Sequence, residues 1–473
     1  MSSHDSATTG LGFGGVLPHR AERHVALNTS DPVLRAARRT PRRLVAGCLV
    51  LGSAVLTGTL IGLWNWQGWV VPVRIAEASM APNFCGDHWL VHCPHCQKQF
   101  AIDAASPRHQ RWLICPQCRR PLNRATQAEF RRGQRVLIHR SHGADDDPRR
   151  WDVWALRHPM DDDRLLVKRV VGLPGERVAL RAGDVFVNGR ILRKSLAELR
   201  QLAILVTDDR FGPDAQANTP HATGWQWESK PGGWRLTRAG LEFSGARQDL
   251  APEARCSWLH HARGGETTRA WIGDDYVYNS ALSRQLNLVT DLLLQCELTA
   301  DFDAELAFQA QTPDGTWSVT WRVRQRRLEL RQDGRLLARS TQPPTPPSNV
   351  YRAEFGFCDQ QILFGVDGQQ WVRFSCPEPA DGVVSHGQST RLALGARAGP
   401  VVIHRLRVVR DVYYERPQGP RAWPLPTTLA AGQFFLLGDN SPCSVDSRHR
   451  ALGPVGRERL IGSVRTLGGA GSG

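Results

Sequence analysis

Lys168 occupies an awkward place for an ammonium group. Leu165, Leu166, Val167, Val170 and Val171 surround it with residues that favour a buried strand. Gly172-Leu173-Pro174-Gly175 then ends that strand in a tight turn. Burial lowers a lysine pKa and makes a neutral amine available as a general base. A lysine with a covered stem and a wet head would have no such role. A base needs a nucleophile, and Ser79, in Ser79-Met80-Ala81-Pro82, is the candidate. A third stretch, Gly438-Asp439-Asn440-Ser441-Pro442-Cys443-Ser444-Val445-Asp446-Ser447-Arg448, is dense in groups that can orient a base. Peptide hydrolysis by a serine needs a base, an orienter and a cradle for the oxyanion. His139, His158 and His449 are available for a Ser/His/Asp arrangement, but none has a recognisable nucleophile context.

A second kind of chemistry is written in Cys93-Pro94-His95-Cys96 and Cys115-Pro116-Gln117-Cys118. Two C-x-x-C pairs separated by residues 97–114 suit a zinc ribbon, in which four thiolates close a tetrahedral structural site. Two disulfides are the alternative if this part of the chain meets an oxidising compartment. His88, His92 and His95 read as neighbours of such a site rather than ligands.

The serine, lysine and Gly-Asp-Asn stretches, in this order, resemble the type I signal peptidases, membrane-bound serine proteases that use a Ser/Lys dyad. The resemblance covers residues 44–92, 127–195 and 412–467. It implies Ser79 as nucleophile and Lys168 as base, later the acid for the leaving amine. It implies Ser444 as the hydroxyl that aims the lysine, and Asp446 with Arg448 as a brace for that loop. Asp439 and Asn440 look like turn formers of the same segment. No cofactor is implied for catalysis; preproteins carrying signal peptides and the lipid bilayer are the implied partners. Two positions depart from the family pattern. Gln134 stands where the family has an acid. Glu77 stands where it has Ser, Thr or Gly, and a carboxylate facing an oxyanion would repel it. Either Glu77 turns away, or it is protonated, or activity is impaired. The last case supports a different reading, a membrane-tethered binding protein with a disabled protease core.

These residues need elements to hold them. Arg35, Arg38, Arg39, Arg42 and Arg43 precede an uncharged run over 44–66, long enough to span a bilayer. Basic residues before a span keep the N-terminus cytoplasmic, so the chain beyond it is expected on the exported side of the cell membrane. Residues 1–43 read as a disordered basic tail. Catalytic segments follow over 67–92, 127–197 and 412–473, with a zinc ribbon over 93–126 and a β-sandwich, whose strand order resembles the concanavalin-like jelly rolls, over 198–411. Strands are expected there at 304–309, 317–324, 327–331, 351–357, 361–366, 371–375 and 391–396, with turns at Asp314-Gly315, Asp333-Gly334 and Asp367-Gly368. Asp274-Asp275-Tyr276 reads as a solvated acidic loop. The expected class is therefore mainly β: a membrane-anchored signal-peptidase-type core with two inserts. A formal charge of +15 raises nucleic acid as a partner, but the arginines are scattered with no basic helix or aromatic stripe, so none is expected.

Overall fold

The computed structural model describes residues 32–66, 68–106, 112–118, 120–141, 146–211, 225–227, 234–237, 240–244, 254–258, 272–280, 282–341, 350–377 and 390–466. The chain forms two units, Met1–Gln67 and Gly68–Gly473. In the first, a helix runs over Pro32–Trp66. Its segment Val45–Trp64 is long and apolar enough to cross a membrane. The helix begins upstream of the expected span: residues 32–43, read as disordered, are helical. The rest of that tail lies outside the described residues.

The second unit is mainly β. Its seven-stranded sheet holds β1 (Val70–Arg74), β2 (Arg135–Arg140), β3 (Val153–His158), β4 (Asp161–Gly172), β5 (Gln433–Leu437), β6 (Val455–Gly456) and β7 (Leu460–Thr466). The spatial order is β1-β2-β7-β3-β4-β5-β6. β4, which carries Lys168, is thus interior: Trp154 of β3 lies opposite Lys168, and Leu437 of β5 lies opposite Arg169. Successive side chains on a strand point to opposite faces. Lys168 and Arg169 are nevertheless both buried, so both faces of the sheet are covered here.

Strand Gln99–Asp103 pairs with His88–His92, which also pairs with Ala128–Arg131; Trp112–Ile114 pairs with Pro121–Asn123. The two C-x-x-C turns follow His88–His92 and Trp112–Ile114.

Two larger antiparallel sheets share one apolar core. Leu292, Leu294, Cys296 and Leu298 of one sheet and Leu306, Phe308, Ala310, Trp317, Val319 and Trp321 of the other bury together. Alternation along Leu292–Ala300 sends those side chains inward, as expected for a half-covered strand. The seven expected strands are present within a few residues of their bounds, Gln361–Val366 among them. Asp333-Gly334 and Asp367-Gly368 have positive φ at both residues, the geometry of a type I′ hairpin turn. The central strands Leu292–Ala300 and Val401–Arg410 were not anticipated, nor was the helix Leu196–Leu202. That helix has a legible signal, a capping box in which Ser195 and Glu198 bond each other's backbone. Ile204 pairs with Arg410, so the two ends of this region meet.

Candidate active site

Ser79 lies in a single 3₁₀ turn, Ala78–Met80, just after β1. Met80 and Ala81 are buried and anchor the turn, whereas Ser79 keeps partial exposure. The turn packs against β4 and against the short turn Ser441–Cys443. Behind it, Gln134 fills the position of the expected acid. Its Oε1 accepts from the Cys85 N–H at 3.1 Å, and its own backbone bonds Ile75 and Cys85 at 3.0 Å each. A neutral amide therefore braces the loop where the family uses a carboxylate.

The Gly438–Arg448 stretch wraps the same turn. The Asn440 N–H donates to the Ser79 carbonyl at 3.0 Å, and Asn440 Nδ2 donates to the Ala78 carbonyl at 2.9 Å. Gly438 has no room for a side chain: a Cβ there would lie 2.5 Å from the Ser79 carbonyl oxygen and closer still to Ser444 Oγ. This glycine lets the nucleophile's backbone and Ser444 approach each other.

Lys168 is 1% exposed, and its ammonium has no hydrogen bond or ion pair among the described residues. Burial pushes its pKa from 10.5 down to about 8, while the nearby Asp446 and Glu77 carboxylates act in the opposite sense. Ser444 Oγ is also buried and without a partner among the described residues, so the hydrogen bond expected between Ser444 and Lys168 is not formed.

Asp446 and Arg448 form a buried bidentate pair, Nε to Oδ1 at 2.8 Å and Nη2 to Oδ2 at 2.7 Å. The Gly438 N–H adds a bond to Asp446 Oδ2 at 3.0 Å. Burial alone would raise the Asp446 pKa, but the Arg448 guanidinium, aided by hydrogen bonds from Arg448 and Gly438, holds it far below the usual carboxylate range. Arg448 also donates to the Glu415 carbonyl and to Ser441.

Asp439 is more than a turn former. It is fully buried and takes Arg169 Nε at 2.7 Å and Nη2 at 2.5 Å, with Asn83 Nδ2 at 2.8 Å. Arg169 went unassigned in the sequence, although its place beside Lys168 in an apolar strand was a usable signal. Glu77 is half exposed and forms an ion pair with Arg164, which supplies a counter-charge to the carboxylate. Among the histidines, His449 lies 3.7 Å from Asp446 Oδ1, but no hydrogen bond joins it to Ser79 among the described residues.

Of the expected solvated acidic loop, only Asp275 is exposed. Asp274 is fully buried, accepting from Arg284 Nη1 at 3.0 Å and from the Asn287 backbone and side chain. Tyr276 is buried as well and donates to the Asp439 carbonyl at 2.8 Å. Arg284 and Asn287 supply the counter-charge and donors that make burial of Asp274 tolerable.

Cys93, Cys96, Cys115 and Cys118 bring their sulfurs within 4.8 Å of one another. Cys93 and Cys118 Sγ are 3.6 Å apart, as are Cys96 and Cys115 Sγ. Those spacings are too long for disulfides and suit a tetrahedral metal with sulfur ligands at about 2.3 Å. The four cysteines are free thiols, three of them buried.

The Ser79 turn, the Lys168 strand and the Gly-Asp-Asn stretch thus meet in the fold. A model of the signal peptidase family, peptidase S26, matches residues 49–223 and 409–467, which contain all three stretches, and the chain belongs to that family. No curated protein matches the sequence. Similar solved structures include a carbohydrate-binding module from Bacillus subtilis, at 11% identity over 39% of this chain and 94% of that one, TM-score 0.25. Others are a galectin from Caenorhabditis elegans, at 18% identity over 25% and 83%, TM-score 0.19, and a laminarinase catalytic domain from Thermotoga maritima, at 12% identity over 44% and 98%, TM-score 0.30.

Proposed function

We propose that this protein is a membrane-anchored type I signal peptidase that removes signal peptides from exported preproteins through a Ser79/Lys168 dyad. The observation that carries the reading is the buried, unpaired ammonium of Lys168, lowered to about 8, on the strand against which the Ser79 turn packs. A neutral Lys168 takes the Ser79 hydroxyl proton as Oγ attacks the scissile carbonyl. The Ser79 N–H faces the developing oxyanion. Lys168 then protonates the leaving amine and later deprotonates the water that releases the acyl group. Ser444 Oγ, buried and without a partner among the described residues, would bond the amine only after its side chain turns toward Lys168. Asp446 and Arg448 hold the loop that carries Ser444, and Asp439 and Asn440 hold the loop on the nucleophile turn. The anchor at Val45–Trp64 would keep the site close to substrates embedded in a bilayer, on the exported side. A structural zinc at Cys93, Cys96, Cys115 and Cys118 completes the assignment. In the alternative reading the β-sandwich insert binds glycan or protein over a protease core disabled around Glu77, and the Arg164 counter-charge weakens the second half of it.

Purified full-length protein should cleave a model preprotein after a small residue. Ser79→Ala and Lys168→Ala should each lower kcat by at least about a thousandfold, with folding unchanged. A loss of only a few-fold in either variant removes that residue from the mechanism.

A further inference from the structure

The region between the lysine and Gly-Asp-Asn stretches lies outside the family match between residues 223 and 409. It supplies none of the residues assigned to the reaction. It nevertheless touches the site, through the short segment Tyr276–Asn279 that precedes the first central strand of the sandwich.

The polar groups in that segment reach two loops of the catalytic core, the Gly438–Arg448 stretch and the loop at Asp87. Asn279 and Asn440 exchange two hydrogen bonds, Asn279 Nδ2 to Asn440 Oδ1 at 2.7 Å and Asn440 Nδ2 to Asn279 Oδ1 at 2.8 Å. Tyr276 Oη donates to the Asp439 carbonyl at 2.8 Å. Tyr278 Oη donates to the Asp87 carbonyl at 3.1 Å, and its ring packs on Ala81 and Cys85, just past the nucleophile.

The segment is itself tied to the sandwich. Arg410, at the end of strand Val401–Arg410, donates to the Asp275 carbonyl at 2.7 Å and stacks 4.8 Å from the Tyr276 ring. Asp274 is fixed by Arg284 and Asn287, and the Val289 N–H bonds the Ile272 carbonyl at 2.9 Å. A loop secured at both ends in this way holds its side chains without large entropic freedom.

Asn440 is the link that matters. A primary amide offers two donors and an oxygen acceptor. Here one Nδ2 hydrogen goes to the Ala78 carbonyl, the other to Asn279, and Oδ1 receives from Asn279. Without Asn279 the amide loses two of its three bonds and the reason for its orientation. Turned over, it would set Oδ1 against the Ala78 carbonyl, two acceptors face to face, and release the turn that carries Ser79.

We infer that Asn279, supplied by the inserted β region, is a positioning residue for the peptidase reaction, holding the Ser79 turn through the carboxamide of Asn440. The inference rests on the dyad reading for its kinetic consequence but not for its geometric content. It makes the insert part of the working enzyme, since whatever shifts the 276–279 segment shifts the nucleophile.

The test uses full-length protein in detergent, with Asn279→Ala, Asn440→Ala and the double variant. Asn279→Ala should lower kcat by about tenfold or more, with KM changed by less than about threefold and the pH midpoint of kcat unchanged. Added to Asn440→Ala, it should cost less than about twofold more, because it acts through that residue. Hydrogen exchange is read on the same proteins. The amides of Ala81 and Asn440, which bond Ala78 and Ser79, should exchange about tenfold faster in Asn279→Ala, while those of Leu292–Ala300 keep their protection. A kcat within about twofold of wild type, multiplying losses in the double variant, or unchanged exchange at Ala81 and Asn440 each overturns the inference. Wild-type cleavage that survives Ser79→Ala overturns the dyad reading instead, and exchange alone then decides whether Asn279 holds the turn.

Discussion

Lys168 concentrates a cost that the proposed role as base would explain. Its pKa is 10.5 in the unfolded chain and about 8 in the fold. Between those values the unfolded chain binds a proton that the folded site does not, so stability rises with pH across the window. Below about 8 both states are protonated and the full penalty is present, about 3 kcal/mol at roughly 1.4 kcal/mol per unit. Cleavage should climb with pH to a plateau above about 8, because only the neutral amine accepts the serine proton. Lys168→Met keeps an apolar stem and removes the charge. It should be inactive and yet melt at a higher temperature than wild type at pH 7. Kinetics and melting curves on the two proteins check this, and a less stable methionine variant would mean the ammonium is not desolvated as its burial indicates.

Among the elements, the cysteine ribbon makes the sharpest claim. Its turns set four sulfurs at metal-ligand spacing, and the ribbon core adds only a few buried residues such as Val91, Phe100, Ile102, Leu113 and Leu122. So small a core would draw most of its stability from a metal held by those sulfurs. Purified protein should carry one zinc. Cys96→Ser should lose it and expose residues 88–131 to protease, with the seven-stranded sheet still folded. Metal analysis near zero, with two disulfides by mass spectrometry, would replace the zinc assignment.

At the scale of the whole second unit, core and sandwich are joined by buried charge. The carboxylate oxygens of Asp184, from the core, and of Asp291 and Asp359, from the sandwich, lie within 4.8 Å of one another. Lys194 Nζ sits 2.6 Å from Asp359 Oδ1 and 2.9 Å from Asp411 Oδ2. Burial first, and then the neighbouring carboxylates, push Asp291 up to about 7 and raise Asp184 as well. A raised carboxyl gives its full support below its unfolded pKa and has lost it once pH passes its folded pKa. Asp184→Asn should therefore gain in stability relative to wild type between about pH 3.5 and about pH 8.5. Equal melting temperatures at both pH values would refute the coupling. The same junction bears on the insert as a whole. Its ends pair through Ile204 and Arg410, so a hairpin replacing residues 209–405 should fold. That deletion also removes Tyr276, Tyr278 and Asn279, so its kcat should fall at least as far as that of Asn279→Ala. A fully active deletion would show the segment to be dispensable.

The sequence by itself determined the family and the local elements. The Ser79, Lys168 and Gly-Asp-Asn stretches were legible as motifs of one family, and the paired cysteines by a spacing that two tight turns can bring together. The hairpins at Asp333-Gly334 and Asp367-Gly368 were legible because only certain residues take positive φ cheaply. The tertiary structure decided what depends on distance in space. The burial of Asp274 follows from Arg284 and Asn287, the role of Asp439 from Arg169, and the place of Asn279 from Asn440, 161 residues away. Leu292–Ala300 and Val401–Arg410 hid for a related reason: a central strand is defined by its neighbours on both sides, and those come from distant parts of the chain. Local pattern records which groups a chain possesses and how each short stretch bends. Pairing between remote segments, set by the shared burial of apolar faces and by the need to satisfy every buried charge and amide, decides which of those groups act together.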